Sequence, residues 1–399
     1  MTKAPWITII GLGEDGPDGL PPASHKALAA AEVIMAPRRH LSLLDETTAR
    51  LIEWPVPFSD GIGLLASLRG QNVVVLASGD PFWFGAGSVI AREFEAGEWR
   101  CLPAPSTFSR AASHMGWAID QTICLGLHAA PLTRLRPYLA PHLQLVVFLR
   151  DGDAVHALAQ YLQGEGFGES ELTVMEALGG PREKCTPLRA DDMQPRTFQH
   201  PVCVAVKPKG AGAVMPVAAG LPDAFFDTDG VMTKRPVRAV TLSSLAPKPG
   251  ELLWDIGGGS GSIGIEWLLA HQACRAISVE PRADRVGLIE HNAAALGVDR
   301  LRVVHGEAPD VLTGLPSPDA VFIGGGLSAE MMDALEGLLP VGTRVVANAV
   351  TLEAERLLAE THARKGGELL RIDVSTAQPL GAKTAWKPSY PLVQWSGVR

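Results

Sequence analysis

"TIIGLGEDGPDGLPP", Thr8–Pro22, is the stretch on which the fold turns. Gly11, Gly13 and Gly16 spell G-x-G-x-x-G directly after an apolar run, the pattern of a dinucleotide-binding turn. Such a turn works only when a helix opens at the third glycine and offers its first amides to the pyrophosphate. Here Gly16 is followed by Pro-Asp-Gly-Leu-Pro-Pro. A helix can begin only near Pro21–Pro22, which suit a first turn. The next strand candidate, Glu32–Ala36, carries no acid at its tip, although Arg38 keeps an NADP-type contact open.

Outward from this loop, apolar runs alternate with helical stretches, which predicts an α/β fold. Strands are expected at Trp6–Gly11, Glu32–Ala36, Asn72–Asp80, Thr122–Gly126, Gln144–Arg150, Leu172–Leu178 and His200–Pro208. The run Lys207–Phe226 is rich in Gly, Ala and Pro and has no clean period. It places a linker at 209–222 between domains at 1–208 and 223–399. The alternation then restarts, with strands expected at Glu251–Gly257, Arg275–Pro281, Leu301–Ala308, Asp319–Gly326 and Arg344–Val350. Two more, within Gly367–Ala377 and Tyr390–Gly397, have no clear helix between them and predict an antiparallel ending.

The second half has its own glycine loop, "LLWDIGGGSGSIGIEWLLA", Leu252–Ala270. A strand ends at Asp255, Gly257, Gly259 and Gly261 follow, and a helix starts at once. The next strand ends at Glu280, where a carboxylate can accept both hydroxyls of a ribose. NAD and S-adenosylmethionine both meet this rule. Asp255 favours the second, because a carboxylate beside the loop repels a pyrophosphate and attracts a sulfonium or ammonium. Glu307 and the amide of Ala308 follow the third strand and suit an adenine edge.

Of the 399 residues, 46% are hydrophobic and 20% charged, which excludes a disordered chain. The net charge of −8 opposes non-specific nucleic-acid binding. Apolar runs such as Leu143–Leu149 fall short of a membrane span. The chain runs from Met1 straight into a strand-like segment with no signal-type region, and its five cysteines form no C-x-x-C. A cytoplasmic, reducing setting is expected, with no metal site.

Three loops of the first half, "GLGEDGPDGL", "SGDPFWFGAG" (Ser78–Gly87) and "PAPSTFSRAA" (Pro103–Ala112), resemble in order and spacing the tetrapyrrole (corrin and porphyrin) methylases, the class III methyltransferases. The resemblance covers residues 5–208. It implies a two-lobed α/β fold with S-adenosylmethionine bound at Gly11, Gly79, Asp80, Gly85, Ser106 and Thr107. Ser106 is also expected to cap a helix. The second half resembles the class I S-adenosylmethionine-dependent methyltransferases, with a doubly wound Rossmann-like fold. Its "DGVMTKRPVRAV", Asp229–Val240, is similar to the decarboxylating methyltransferases of corrin synthesis. The fusion implies one S-adenosylmethionine per domain. It also implies methylation of precorrin-6B at C5 by the first half and at C15 by the second. The ring C acetate would leave as CO2, giving precorrin-8.

Such a substrate is rich in carboxylates. Lys234, Arg235, Arg238, Lys383 and Lys387 are the candidate contacts. His114 and His128 are candidates for moving protons near C5. No metal is required, and a homo-oligomer is implied by the resemblance. An oxidoreductase with two NAD(P)- or flavin-binding domains is the competing reading, followed by a non-catalytic sensor on degenerate methyltransferase folds.

Overall fold

The computed structural model describes residues 5–399; the first four residues of the N-terminus lie outside them. The chain forms two compact units. The first holds the residues up to Leu132 together with Leu139–Ala213, and the second holds Thr133–Tyr138 and Val214–Arg399.

The first unit runs β1 (Ile7–Leu12), α1 (Pro22–Ala29), β2 (Val33–Ala36), α2 (Arg38–Leu41), β3 (Arg50–Glu53), α3 (Asp60–Ala66), β4 (Val73–Ser78), α4 (Ala86–Glu93) and β5 (Trp99–Leu102). It continues through α5 (Thr107–Met115), β6 (Ile123–Gly126), β7 (Leu145–Leu149), α6 (Asp153–Gly164), β8 (Glu171–Glu176), β9 (Lys184–Arg189) and β10 (Val202–Lys207). The first five strands make one parallel sheet, ordered β3-β2-β4-β1-β5. The other five make a mixed sheet, ordered β6-β7-β10-β8-β9, in which only β6 and β7 run parallel.

The first sheet is covered on both faces, as parallel sheets are. Ile7 and Ile9 of β1 pack in one apolar cluster with Val73, Val75 and Ile90. Ile10 and Leu12 pack in another with Ile34, Val74 and Leu76. After β1 the chain makes a 3-10 turn at Gly16–Gly19, and α1 then starts at Pro22. The two prolines do postpone the helix. Ser106 caps α5, its hydroxyl accepting from the Ser109 amide at 3.1 Å. Gly116, at φ +65°, ends that helix.

The second unit runs α7 (Arg235–Leu245), β11 (Leu252–Ile256), α8 (Ser262–Ala270), β12 (Arg275–Glu280), α9 (Ala283–Ala295), β13 (Arg302–His305), β14 (Ala320–Ile323), α10 (Ala329–Leu338) and β15 (Arg344–Ala349). It ends with α11 (Leu352–Lys365), β16 (Glu368–Ile372), β17 (Ser375–Leu380), β18 (Lys383–Pro388) and β19 (Leu392–Val398). The main sheet is ordered β13-β12-β11-β14-β15-β19-β16. Its first five strands are parallel, while β19 runs antiparallel to both β15 and β16, the expected antiparallel ending. Side chains alternate across β11: Leu253 faces the cluster of Ile265, Trp267 and Phe322, while Leu252, Trp254 and Ile256 face that of Ile277, Val279 and Val345. Neighbours of β11 connect in opposite directions, so a crevice opens at its carboxyl end, the usual ligand position in such sheets. Among the described residues no helix is long and apolar enough to cross a membrane.

Candidate active sites

In the second unit that crevice is a cavity of about 740 Å³, inside the range of roughly 300–1,000 Å³ for small-molecule sites. Of the residues singled out from sequence, Asp255, Gly257, Gly259, Glu280, Glu307 and Ala308 all line it. Gly257 has φ +75°, and a Cβ there would stand 2.7 Å from the Gly325 amide. The loops after β11 and β14 therefore close on each other only with glycine at that position. Gly261 is absent from the lining. It starts α8 in the left-handed region at φ +76°, and a Cβ there would sit 2.7 Å from Ile289.

Most of the loop's amides are already committed. The amides of Gly257 and Gly258 donate to the Val279 carbonyl, that of Gly259 to Glu280 Oε2 at 2.9 Å, and that of Gly261 to the Gly258 carbonyl. At the start of α8 the Gly264 amide is taken by Asp255 Oδ2 at 3.1 Å. A pyrophosphate needs such donors free. The cavity instead presents carboxylates. Glu280 is buried, and its two oxygens are held by the Gly259 and Arg282 amides. Asp255 is buried too; burial, reinforced by the charge of Glu280, pushes its pKa up to about 7 against the pull of the Gly264 amide.

The sequence reading passed over two cavity-lining arginines, Arg282 and Arg285. Arg285 is ion-paired with Asp229 at 2.8 Å, which ties the Asp229–Thr233 segment beside the cavity. Their three-residue spacing, just past the strand tip that supplies Glu280, was the available signal.

Of the proposed substrate cations, Arg238 must be withdrawn. It is fully buried, ion-paired with Glu266 and with Asp223 (3.1 Å), and it donates to the Thr233 and Leu221 carbonyls. Position 238 reads as one more charge beside Lys234 and Arg235, but the helical turn of α7 sends it inward. Lys234 and Arg235 are exposed at the start of α7, next to the lining residue Thr233. Lys383 and Lys387 are exposed on β18, which pairs with β17 in a two-stranded hairpin.

In the first unit the carboxyl ends of β1 and β4 meet the second sheet around a narrow cavity of about 30 Å³. Gly79 and Thr107 line it. Gly11, Asp80, Gly85 and Ser106 do not. A Cβ on Gly11 would collide with the Gly79 carbonyl and stand 2.6 Å from the Ala104 amide, so this glycine lets β1 pass beneath both. Asp80 accepts from the Phe82 amide at 2.9 Å, and Gly85 caps α4.

Beside Gly79 lies a polar group not foreseen from sequence. Buried Glu14 pairs with Arg39 and with Arg182 (2.9 Å). Arg39 also donates to Ser78 Oγ at 2.8 Å and sits 2.9 Å from His40 Nε2. Burial and the Arg39 charge lower the His40 pKa to about 3, so it is neutral and accepts from Arg39. His128 packs edge-on to Phe148, a cavity-lining ring, at 5.5 Å. His114 is exposed in the last turn of α5, at the other end of the helix from Thr107.

Comparison with known proteins fits both halves. Residues 7–194 match the family of tetrapyrrole (corrin/porphyrin) methylases, and residues 224–399 match the precorrin methyltransferase domain. A Sinorhizobium precorrin-6Y C(5,15)-methyltransferase [decarboxylating] is 47% identical over 99% of this chain and 97% of its own length. The chain belongs to the precorrin-6Y C(5,15)-methyltransferase (decarboxylating) family. A Mycobacterium tuberculosis relative of the same name is 37% identical over 98% of this chain and 99% of its own. The C-terminal domain of the Rhodobacter capsulatus precorrin-6Y C5,15-methyltransferase is 55% identical, with a TM-score of 0.45, over 46% of this chain and 100% of that one. Membership of this precorrin-6Y methyltransferase family leaves the oxidoreductase reading without support.

Proposed function

We propose that the enzyme methylates precorrin-6B at C5 and C15 with S-adenosylmethionine and removes the ring C acetate as CO2, giving precorrin-8. The observation that carries this is the second cavity. It combines committed loop amides, two buried carboxylates and the position at the end of β11 in a half that matches a precorrin methyltransferase domain. These fit a cationic nucleoside better than a pyrophosphate. When bound, S-adenosylmethionine supplies an electrophilic methyl group.

The chain's part is placement. Glu280, held rigid by two amides, accepts the ribose diol, and Glu307 with the Ala308 amide receives the adenine edge. Asp255 lies where a positive group is favoured. Water exclusion and alignment of a meso carbon with the methyl supply the rate, a proximity effect of up to ~7–11 kcal/mol. The macrocycle is its own nucleophile, and its conjugated ring takes up the electron pair left by CO2. Lys234, Arg235, Lys383 and Lys387 are assigned to its carboxylates, with Arg282 at the cavity.

We assign C5 to the first half on its likeness to the tetrapyrrole methylases. Gly79 and Thr107 line its cavity, but about 30 Å³ holds a water rather than a nucleoside. Cofactor binding there requires the loops around Gly79 and Thr107 to open. His128, packed against Phe148, is better placed than His114 to serve that cavity.

We further assign a cytoplasmic, homo-oligomeric enzyme. All five cysteines are free, which suits a reducing compartment, and light scattering reads the oligomer. Titration calorimetry with S-adenosylhomocysteine and NADP tests the reading. Two equivalents of the first and none of the second are expected, and binding of NADP alone overturns it.

A further inference from the structure

The five cysteines look scattered in sequence, yet the fold gathers one of them with two other metal-binding side chains. Helix α5 packs across the second sheet through Phe108 and Ala111, which share an apolar cluster with Met175 and Cys203. This brings His114, in its last turn, over the edge strand β9. Cys185 lies near the start of that strand and Glu183 just before it. Cys185 Sγ and His114 Nδ1 are 3.8 Å apart. One ligand atom from each of His114, Glu183 and Cys185 lies within 4.8 Å of the others.

We propose that His114 Nδ1, Cys185 Sγ and a Glu183 carboxylate oxygen form a three-ligand site for a borderline-soft divalent cation of the zinc or cobalt class. Bonds of about 2.0–2.3 Å at tetrahedral angles place donor atoms roughly 3.3–3.8 Å apart. The Sγ–Nδ1 pair is already at that spacing, and Glu183 closes the rest by a side-chain rotation. The Glu183 carboxylate has an anchor, its Oε2 accepting from the Gly179 amide at 2.6 Å, the kind of outer partner that orients a ligand. A thiolate with an imidazole and one carboxylate selects zinc or cobalt over magnesium or calcium. His114 and Glu183 are exposed, which leaves water the fourth position. Binding releases the thiol proton to solvent.

The consequence is mechanical. The ion clamps the far end of α5 to the sheet edge, while the near end of the helix carries the Ser106 cap and Thr107 at the cavity. It takes no part in methyl transfer.

The test is cobalt(II) titration of the full-length, chelator-treated protein, followed by absorbance and thermal unfolding. One equivalent should bind with a thiolate-to-cobalt charge-transfer band, zinc should displace it, and Tm should rise by about 5–10 °C at saturating metal. Cys185→Ser should abolish the band and weaken binding by at least about 100-fold, since even outer-shell partners are worth 10–100-fold. His114→Ala, at an exposed position that folding tolerates, should also lose affinity. Absence of the band in the unmodified protein, or equal affinity and equal Tm shift in both variants, overturns the proposal.

Discussion

Asp255 is a carboxylic acid whose charge is set by its surroundings. With its pKa at about 7 against an ordinary 3.8, it is largely neutral below neutrality in the free protein and charged above it. For stability the sign is that of a raised native pKa. Its contribution is complete below about 3.8 and lost as pH rises through about 7. For a cationic ligand the sign reverses. Affinity for S-adenosylmethionine at the second cavity should rise between about pH 6 and about pH 8. Asp255→Asn should flatten that slope in calorimetry, and an unchanged slope removes Asp255 from the role. Arg238 shows how a side chain named for one role serves another. Arg238→Met leaves Glu266 buried without its partner and should cost about 3–5 kcal/mol in urea unfolding. Lys234→Ala and Arg235→Ala should change stability by no more than about 0.5 kcal/mol while raising KM for the precorrin. The sequence could nominate all three cations, because charge and position are written in it. It could not separate them, because the 100° turn per residue that buries Arg238 is fixed by how α7 packs.

At the scale of elements, the long buried strands and amphipathic helices were legible, since apolar runs bounded by turn residues specify them. Among the strands, β3, β5 and β9, each only partly buried, and β18, whose residues face solvent almost throughout, were missed, and the one strand expected within Gly367–Ala377 spans β16 and the start of β17. Pairing rather than apolar pattern makes such strands. Glycine positions were legible as close approaches, but not what approaches. Gly11 reads as a ligand contact, and the structure adds that the Gly79 and Ala104 backbones pass close against it. Gly11→Ala should therefore destabilise the protein by about 1–3 kcal/mol rather than simply weaken cofactor binding, which chemical denaturation checks. The narrow cavity beneath Gly79 and Thr107 also predicts a kinetic difference. Stopped-flow binding of S-adenosylhomocysteine should show a fast phase from the second cavity and a slow, opening-limited phase from the first. Glu280→Ala should remove only the fast phase.

For the whole molecule, the central claim is a division of labour, with each unit carrying its own cavity and its own methyl transfer. The fusion of two methylase types was readable from loop order. The Glu14–Arg39–His40–Ser78 group was not, because its members come from the loop after β1, from α2 and from the end of β4 and meet only in the fold. The most direct measurement incubates full-length Glu280→Ala and Gly79→Val variants with precorrin-6B and labelled S-adenosylmethionine, counting methyl groups and CO2 by mass. Glu280→Ala should yield a product methylated once, at C5, with the acetate retained. Gly79→Val, whose side chain at φ +52° would press on the Pro105 and Ser106 backbone 3.0 Å away and distort the wall of the first cavity, should yield C15 methylation with loss of CO2. If either variant loses both methylations, or neither loses any, the two cavities are not separate methyl-transfer sites.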